Sequence, residues 1–156
     1  MKNIKLLILA GLIFSLPVWI SAQRGSGGWC TNNNYSRLFD ATTITKIEGT
    51  IVSVDKIVPE NGMSAGLHLM VKTAKETISV HLGPVWFLDN QDLAFNTGEV
   101  VIVTGSKVTY EKHPAIIAVE VSLGDHLLIL RDRKGFPRWN AWRKGRGTGQ
   151  RRSAIG

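Results

Sequence analysis

Cysteine is nearly absent: Cys30 stands alone in 156 residues. One thiol excludes an internal disulfide framework, a Cys-x-x-Cys zinc site and a Cys-x-x-Cys-His haem attachment. It leaves Cys30 to pair between chains or to stay free. Catalytic signatures are missing too, with no Gly-x-Ser-x-Gly, no His-Glu-x-x-His and no Walker loop. Gly145-Arg146-Gly147-Thr148-Gly149 is glycine-rich, but no strand leads into it and no helix can follow, so it is not a nucleotide fingerprint. Asp89 and Asp92 have helical spacing, which a solvated helix face explains. These absences point away from an enzyme. Acid is scarce in one place. From Arg131 to Gly156 nine basic residues meet a single acid, Asp132. The +8 of that segment and the +2 of Lys2 and Lys5, against +7 for the whole chain, leave Ala22 to Leu130 at −3. A mildly acidic body with a strongly basic tail suggests a tail that meets something anionic. A solvated tail without a partner is the plain alternative.

The one long hydrophobic run is at the N-terminus. Lys2 and Lys5 precede the apolar stretch Leu6 to Leu16, Pro17 ends it, and Ser21-Ala22 offers a cleavage point. Residues 1–22 therefore read as a signal peptide, with periplasmic or secreted location expected. An uncleaved N-terminal membrane anchor is the alternative, since Leu6 to Ala22 only just reaches the length of a spanning helix. Residues 23–43 read as a flexible Gly-, Ser- and Asn-rich linker to Asn34 and then a lead-in turn at Tyr35, Leu38 and Phe39. The rest divides into a β domain, 44–130, and a basic Trp/Arg tail, 131–156, expected to be disordered from about Gly145.

The β domain shows period-2 alternation. A first strand is expected over Thr43 to Val58, bent at Gly49, and Pro59-Glu60-Asn61-Gly62 signals a turn. A two-residue loop at Ala74-Lys75 pairs Val71 with Ile78, Leu69 with Val80 and Leu67 with Leu82 on one face. The other face then carries Lys72 opposite Thr77, Met70 opposite Ser79 and His68 opposite His81. A one-residue slip would send every side chain to the wrong face. Ala-Lys is not the Asn-Gly type that a tight hairpin prefers. Pro84 suits a helix start, and a short helix is expected over Pro84 to Ala94, with Val85, Trp86, Leu88 and Leu93 as its apolar stripe. Further strands are expected at Val100 to Tyr110, bent at Gly105, at Ile116 to Ser122 and at Leu127 to Leu130. His113-Pro114 falls in a connection.

The order strand, strand, strand, helix, strand, strand resembles the OB-fold, a mostly β, five-stranded Greek-key barrel with one short helix between strands 3 and 4. Gly98-Glu99-Val100-Val101-Ile102-Val103-Thr104-Gly105 is similar to the entry into the fourth strand of such barrels. The resemblance covers Ile44 to Val121, and the chain looks like small exported bacterial proteins of this fold. A β-sandwich fragment or an SH3-like barrel is the alternative. The resemblance implies a binding module, since such barrels often hold oligonucleotides or oligosaccharides on one face.

Two places carry candidate chemistry. Opposed strand residues bring Cβ atoms to about 4.5–5.5 Å, so His68 and His81, with Met70 on the same face, are candidate ligands for copper or zinc. His113 or His126 would have to complete such a site. Ordinary strand histidines, partly exposed beside small residues, are the plain alternative. The second place is the tail, where Arg131, Arg133, Lys134, Arg138, Trp139, Trp142 and Arg143 interleave cations with aromatics. Cations neutralise phosphates and Trp stacks on bases, but export makes nucleic acid the less apt partner. An anionic envelope polymer, a membrane surface or an acidic protein fits better. Alternatively, Phe136, Trp139 and Trp142 fold back to cap the barrel. The sequence thus leads to an exported, non-enzymatic OB-like binding module with an anionic or protein partner. A metal-binding or redox-associated accessory protein is the second reading, and single-stranded nucleic-acid binding the third.

Overall fold

The hairpin around Ala74-Lys75 forms as the alternation requires. β2 (Gly66–Lys72) and β3 (Thr77–Pro84) pair Lys72 with Thr77, Val71 with Ile78, Leu69 with Val80 and His68 with His81. The Ala-Lys loop is tolerated because Thr73 clamps it. Its Oγ1 donates to Glu76 O at 2.9 Å and accepts from the amides of Lys75 and Glu76 at 3.2 and 3.1 Å. A bulge between Leu67 and His68 places Leu67 opposite Gly83 rather than Leu82. The structure, a computed structural model, describes residues 26–29 and 32–140. The leader, Cys30, Trp142 and Arg143 lie outside the described residues.

β1 (Ile44–Ile57) pairs with β2 and with β4 (Val100–Tyr110), and β4 pairs with β5 (His113–Leu123). The parallel pairing of Ser79, Val80 and His81 with Ala115, Ile116 and Ile117 joins β3 to β5. That pairing closes a five-stranded barrel of OB-like topology, and β6 (His126–Ile129) adds to the outer side of β5. β5 begins earlier than expected. Glu111 and Lys112 take positive φ, 47° and 67°, and turn the chain tightly enough to pair His113 with Tyr110.

The helix α1 is only Val85–Leu88, not Pro84 to Ala94. The Asn90 side-chain amide donates to Trp86 O at 2.7 Å and that of Gln91 to Phe87 O at 3.2 Å. These carbonyls are the acceptors that the next helical turn would use, so the side chains end the helix. Its buried face is Phe87 and Leu88, joined by Phe95, while Val85, Trp86 and Leu93 are half-buried.

Leu69, Val71, Val80, Leu82, Val101, Val103, Ile116 and Val121 fill the barrel and are fully buried. Two glycines let the strands approach closely enough. A Cβ on Gly49 would meet the carbonyl of Lys72, with Val71 Cγ1 at 2.7 Å, and one on Gly105 would meet the carbonyl of Ile117, with Ile116 Cγ2 at 2.6 Å. Gly105 also sits at a register shift in the β4–β5 pairing. Gly105→Ala is expected to cost about 1–3 kcal/mol through overpacking. Urea unfolding of the variant beside wild type measures it, and an unchanged midpoint would refute the close approach. Among the described residues no helix is long and apolar enough to cross a membrane.

Candidate functional site

At the barrel end formed by Gly66–His68 and His81–Pro84, segments from both ends of the chain cover the sheet. Gly66 and Gly83 leave room for two tryptophans. A Cβ on Gly66 would lie 2.6 Å from the Trp29 ring, and one on Gly83 2.7 Å from the Trp139 ring. Trp29 donates its indole N–H to Ser64 O and Trp139 donates its own to Trp29 O, each at 3.0 Å. The two rings meet edge to face at 5.9 Å. Trp29 is 3% exposed, in a stretch that composition alone marks as flexible linker. Its only sequence signal was an aromatic set in glycine and serine.

His68 and His81 stack with centroids 3.7 Å apart and planes 14° apart. Both are buried, at 2% and 1% exposure, which corrects the expectation of partly exposed strand histidines. The physical reason is the cover. Tyr35 stacks on His81 from the lead-in turn, and Tyr110 meets His81 edge-on at 4.8 Å from the end of β4. The Tyr35 hydroxyl and His81 Nδ1 share a hydrogen bond of 2.9 Å, whose direction follows the imidazole tautomer. Burial pushes His68 down to about 4, opposed by Asp55 on the neighbouring strand. Burial, then His68, then Arg131 push His81 down to about 3. Both rings are therefore neutral at pH 7. Burial also raises the Tyr35 phenol well above its ordinary range, against the pull of Arg131.

The stacked pair is poorly arranged for the copper or zinc site that the register suggested. His68 Nε2 and His81 Nε2 are buried without hydrogen-bond partners, so donor atoms are present. Each lone pair, however, lies in its own ring plane, and rings this nearly parallel cannot aim both nitrogens at one ion. Among the described residues no cluster of three His, Cys, Asp or Glu side chains exists to complete a site. His113 and His126 are exposed, and Met70 is half-buried opposite Ser79.

The candidate tail residues divide. Arg131 is 4% exposed and Trp139 2%, so neither is on the surface where a partner-binding tail would need them. Arg131 Nη1 donates to Leu82 O at 2.8 Å and Ala118 O at 2.6 Å, and the guanidinium lies 4.8 Å from the Trp139 ring centroid. Burial draws its pKa down to about 10, with Tyr35 acting the other way, so it stays charged at pH 7. Arg133, Lys134 and Arg138 are exposed, with Phe136 at 58%. Asp132, the lone acid of the tail, is used for folding. Its carboxylate accepts from the amides of Lys134 and Phe136, both at 2.8 Å, and shapes a loop closed by the Arg131–Pro137 bridge.

Comparison with known proteins extends this picture. No curated protein matches the chain. Among solved structures it is similar to a chain of the Stn1–Ten1 complex of S. pombe, with 20% identity and a TM-score of 0.37. That match covers 65% of this chain and 66% of the other, slightly under two thirds of its length. The sequence pattern of the MamS/MamX magnetosome protein family matches residues 43–128, from the entry of β1 into β6 and more than half of the chain. This protein belongs to the MamS/MamX magnetosome protein family.

Proposed function

We propose that the protein is an exported, non-enzymatic binding module of the magnetosome family that docks on an anionic lipid surface through the loop after β6. The observation that carries this reading is Phe136, 58% exposed between the exposed cations Arg133, Lys134 and Arg138. An apolar ring flanked by cations suits the boundary between headgroups and acyl chains. The loop is held from below by Arg131, Pro137 and Trp139, all buried, so its cations are presented on a fixed base. The further basic residues from Arg143 to Arg152 add charge to the same end of the chain.

A juxtamembrane cation contributes about 1 kcal/mol near an anionic surface. Replacing Arg133, Lys134 and Arg138 together by Gln is expected to weaken binding on the order of 100-fold. Co-sedimentation with phosphatidylglycerol/phosphatidylcholine vesicles measures it, with pure phosphatidylcholine as the control. Binding should also fall steeply with added salt. Equal binding by the triple variant and wild type, or binding indifferent to salt, would overturn the reading. Affinity for a soluble polyanion with none for vesicles would replace the lipid surface by an envelope polymer.

A further inference from the structure

A cavity of about 210 Å³ lies between the lead-in turn and the loop after β6. Its walls include Trp29, Tyr35, Phe39, Met63, Phe136 and Trp139, and Arg131 and Lys134 bring positive charge to it. Arg131 is the unusual member. Among the described residues its buried guanidinium has no carboxylate within ion-pair distance, and its hydrogen bonds are the two from Nη1 to backbone carbonyls. Tyr35, hydrogen-bonded to His81, is a neutral phenol at pH 7 and does not balance the charge. A buried cation without a counter-charge is costly, and a bound anion in the cavity would relieve that cost.

The geometry points to a binding site for a small monocarboxylate bearing a single apolar ring, its carboxylate on the free edge of the Arg131 guanidinium and its ring among the aromatic walls. This goes beyond the surface reading of the exposed cations. The size follows from the cavity, since about 150 Å³ accommodates a benzene ring. One ring and a carboxylate fill it. The charge follows from the planar fork of Arg131, which matches a carboxylate edge. The mostly apolar lining disfavours a fully hydrated inorganic anion.

The test is NMR titration of the full chain with benzoate, read at the indole N–H signals of Trp29 and Trp139. Benzamide supplies the ring without the charge, and inorganic phosphate the charge without the ring. Benzoate is expected to shift both signals saturably with a Kd below about 1 mM, while benzamide and phosphate bind at least tenfold more weakly. Arg131→Gln should weaken benzoate tenfold or more. Should that variant fail to fold, the three-ligand comparison on wild type decides by itself. No saturable shift with benzoate, or an equal response to benzamide, would overturn the site. An equal response to phosphate would overturn the ring-bearing ligand.

Discussion

Lowering the pH from 7 to 5 is expected to remove about 4 kcal/mol of folding stability through His68 and His81 together. In the unfolded chain both imidazoles titrate near the ordinary value of 6.5, and in the fold they are pushed down to about 4 and about 3. The unfolded state therefore takes up protons that the folded state refuses. The stability is fully present above pH 6.5 and is lost progressively as the pH falls toward the folded values. At pH 5 each histidine accounts for about 2 kcal/mol of the loss. The cause is geometric, because two stacked rings beneath Tyr35 and Tyr110 cannot be charged without placing a cation in a dry site that already feels the charge of Arg131. Asp40, whose carboxyl is held below its ordinary value by Thr42, titrates beneath this window. Urea midpoints at pH 7 and pH 5 measure the effect. A His68→Phe, His81→Phe variant keeps aromatic rings at both positions and should lose most of the difference. Equal pH dependence in the variant and wild type would show that the pair is not its source.

Trp139→Ala is expected to cost about 3–5 kcal/mol, the range for truncating a buried large aromatic. Trp139 is 2% exposed, sits over Gly83, packs against Trp29 and Phe87, lies beside Arg131 and donates to the Trp29 carbonyl. The substitution opens a cavity, removes the ring beside a buried cation and loosens the N-terminal cover at once. Phe136→Ser, three residues earlier but on the exposed side, should change stability by no more than about 0.5 kcal/mol. Chemical unfolding of the two variants measures the contrast, and a Trp139→Ala cost under 1 kcal/mol would refute it. The same contacts bear on removal of Arg131 to Gly156. That deletion takes Arg131, Pro137 and Trp139 out of the interior, so it should unfold the barrel rather than separate a binding tail from an intact domain.

Much of the barrel was legible because its strands bury one face. Alternation in Leu67–Lys72 and Thr77–Leu82 fixes the hairpin register, and His68 opposite His81 follows from it. Gly49 and Gly105 were expected as bends; Gly105 does sit at a register shift, and at both the structure adds a close approach to a neighbouring carbonyl that the sequence did not show. The helix was overextended because an apolar stripe says where a helix packs but not where it stops. Asn90 and Gln91 settle that with their own side chains. The candidate site was half legible. Register brought the histidines together, but alternation cannot say whether a polar face is wet.

By itself the sequence determined the OB-like strand order, the hairpin register and the concentration of positive charge after β6. Each depends on residues near one another in the chain, where spacing and turn chemistry act directly. Only the tertiary structure decided that His68 and His81 are dry, that Arg131 and Trp139 are interior, and that a cavity lies between the lead-in turn and the loop after β6. Those outcomes come from contacts between residues as distant as Trp29 and Trp139, and local patterning holds no record of which segment will close over the end of a barrel.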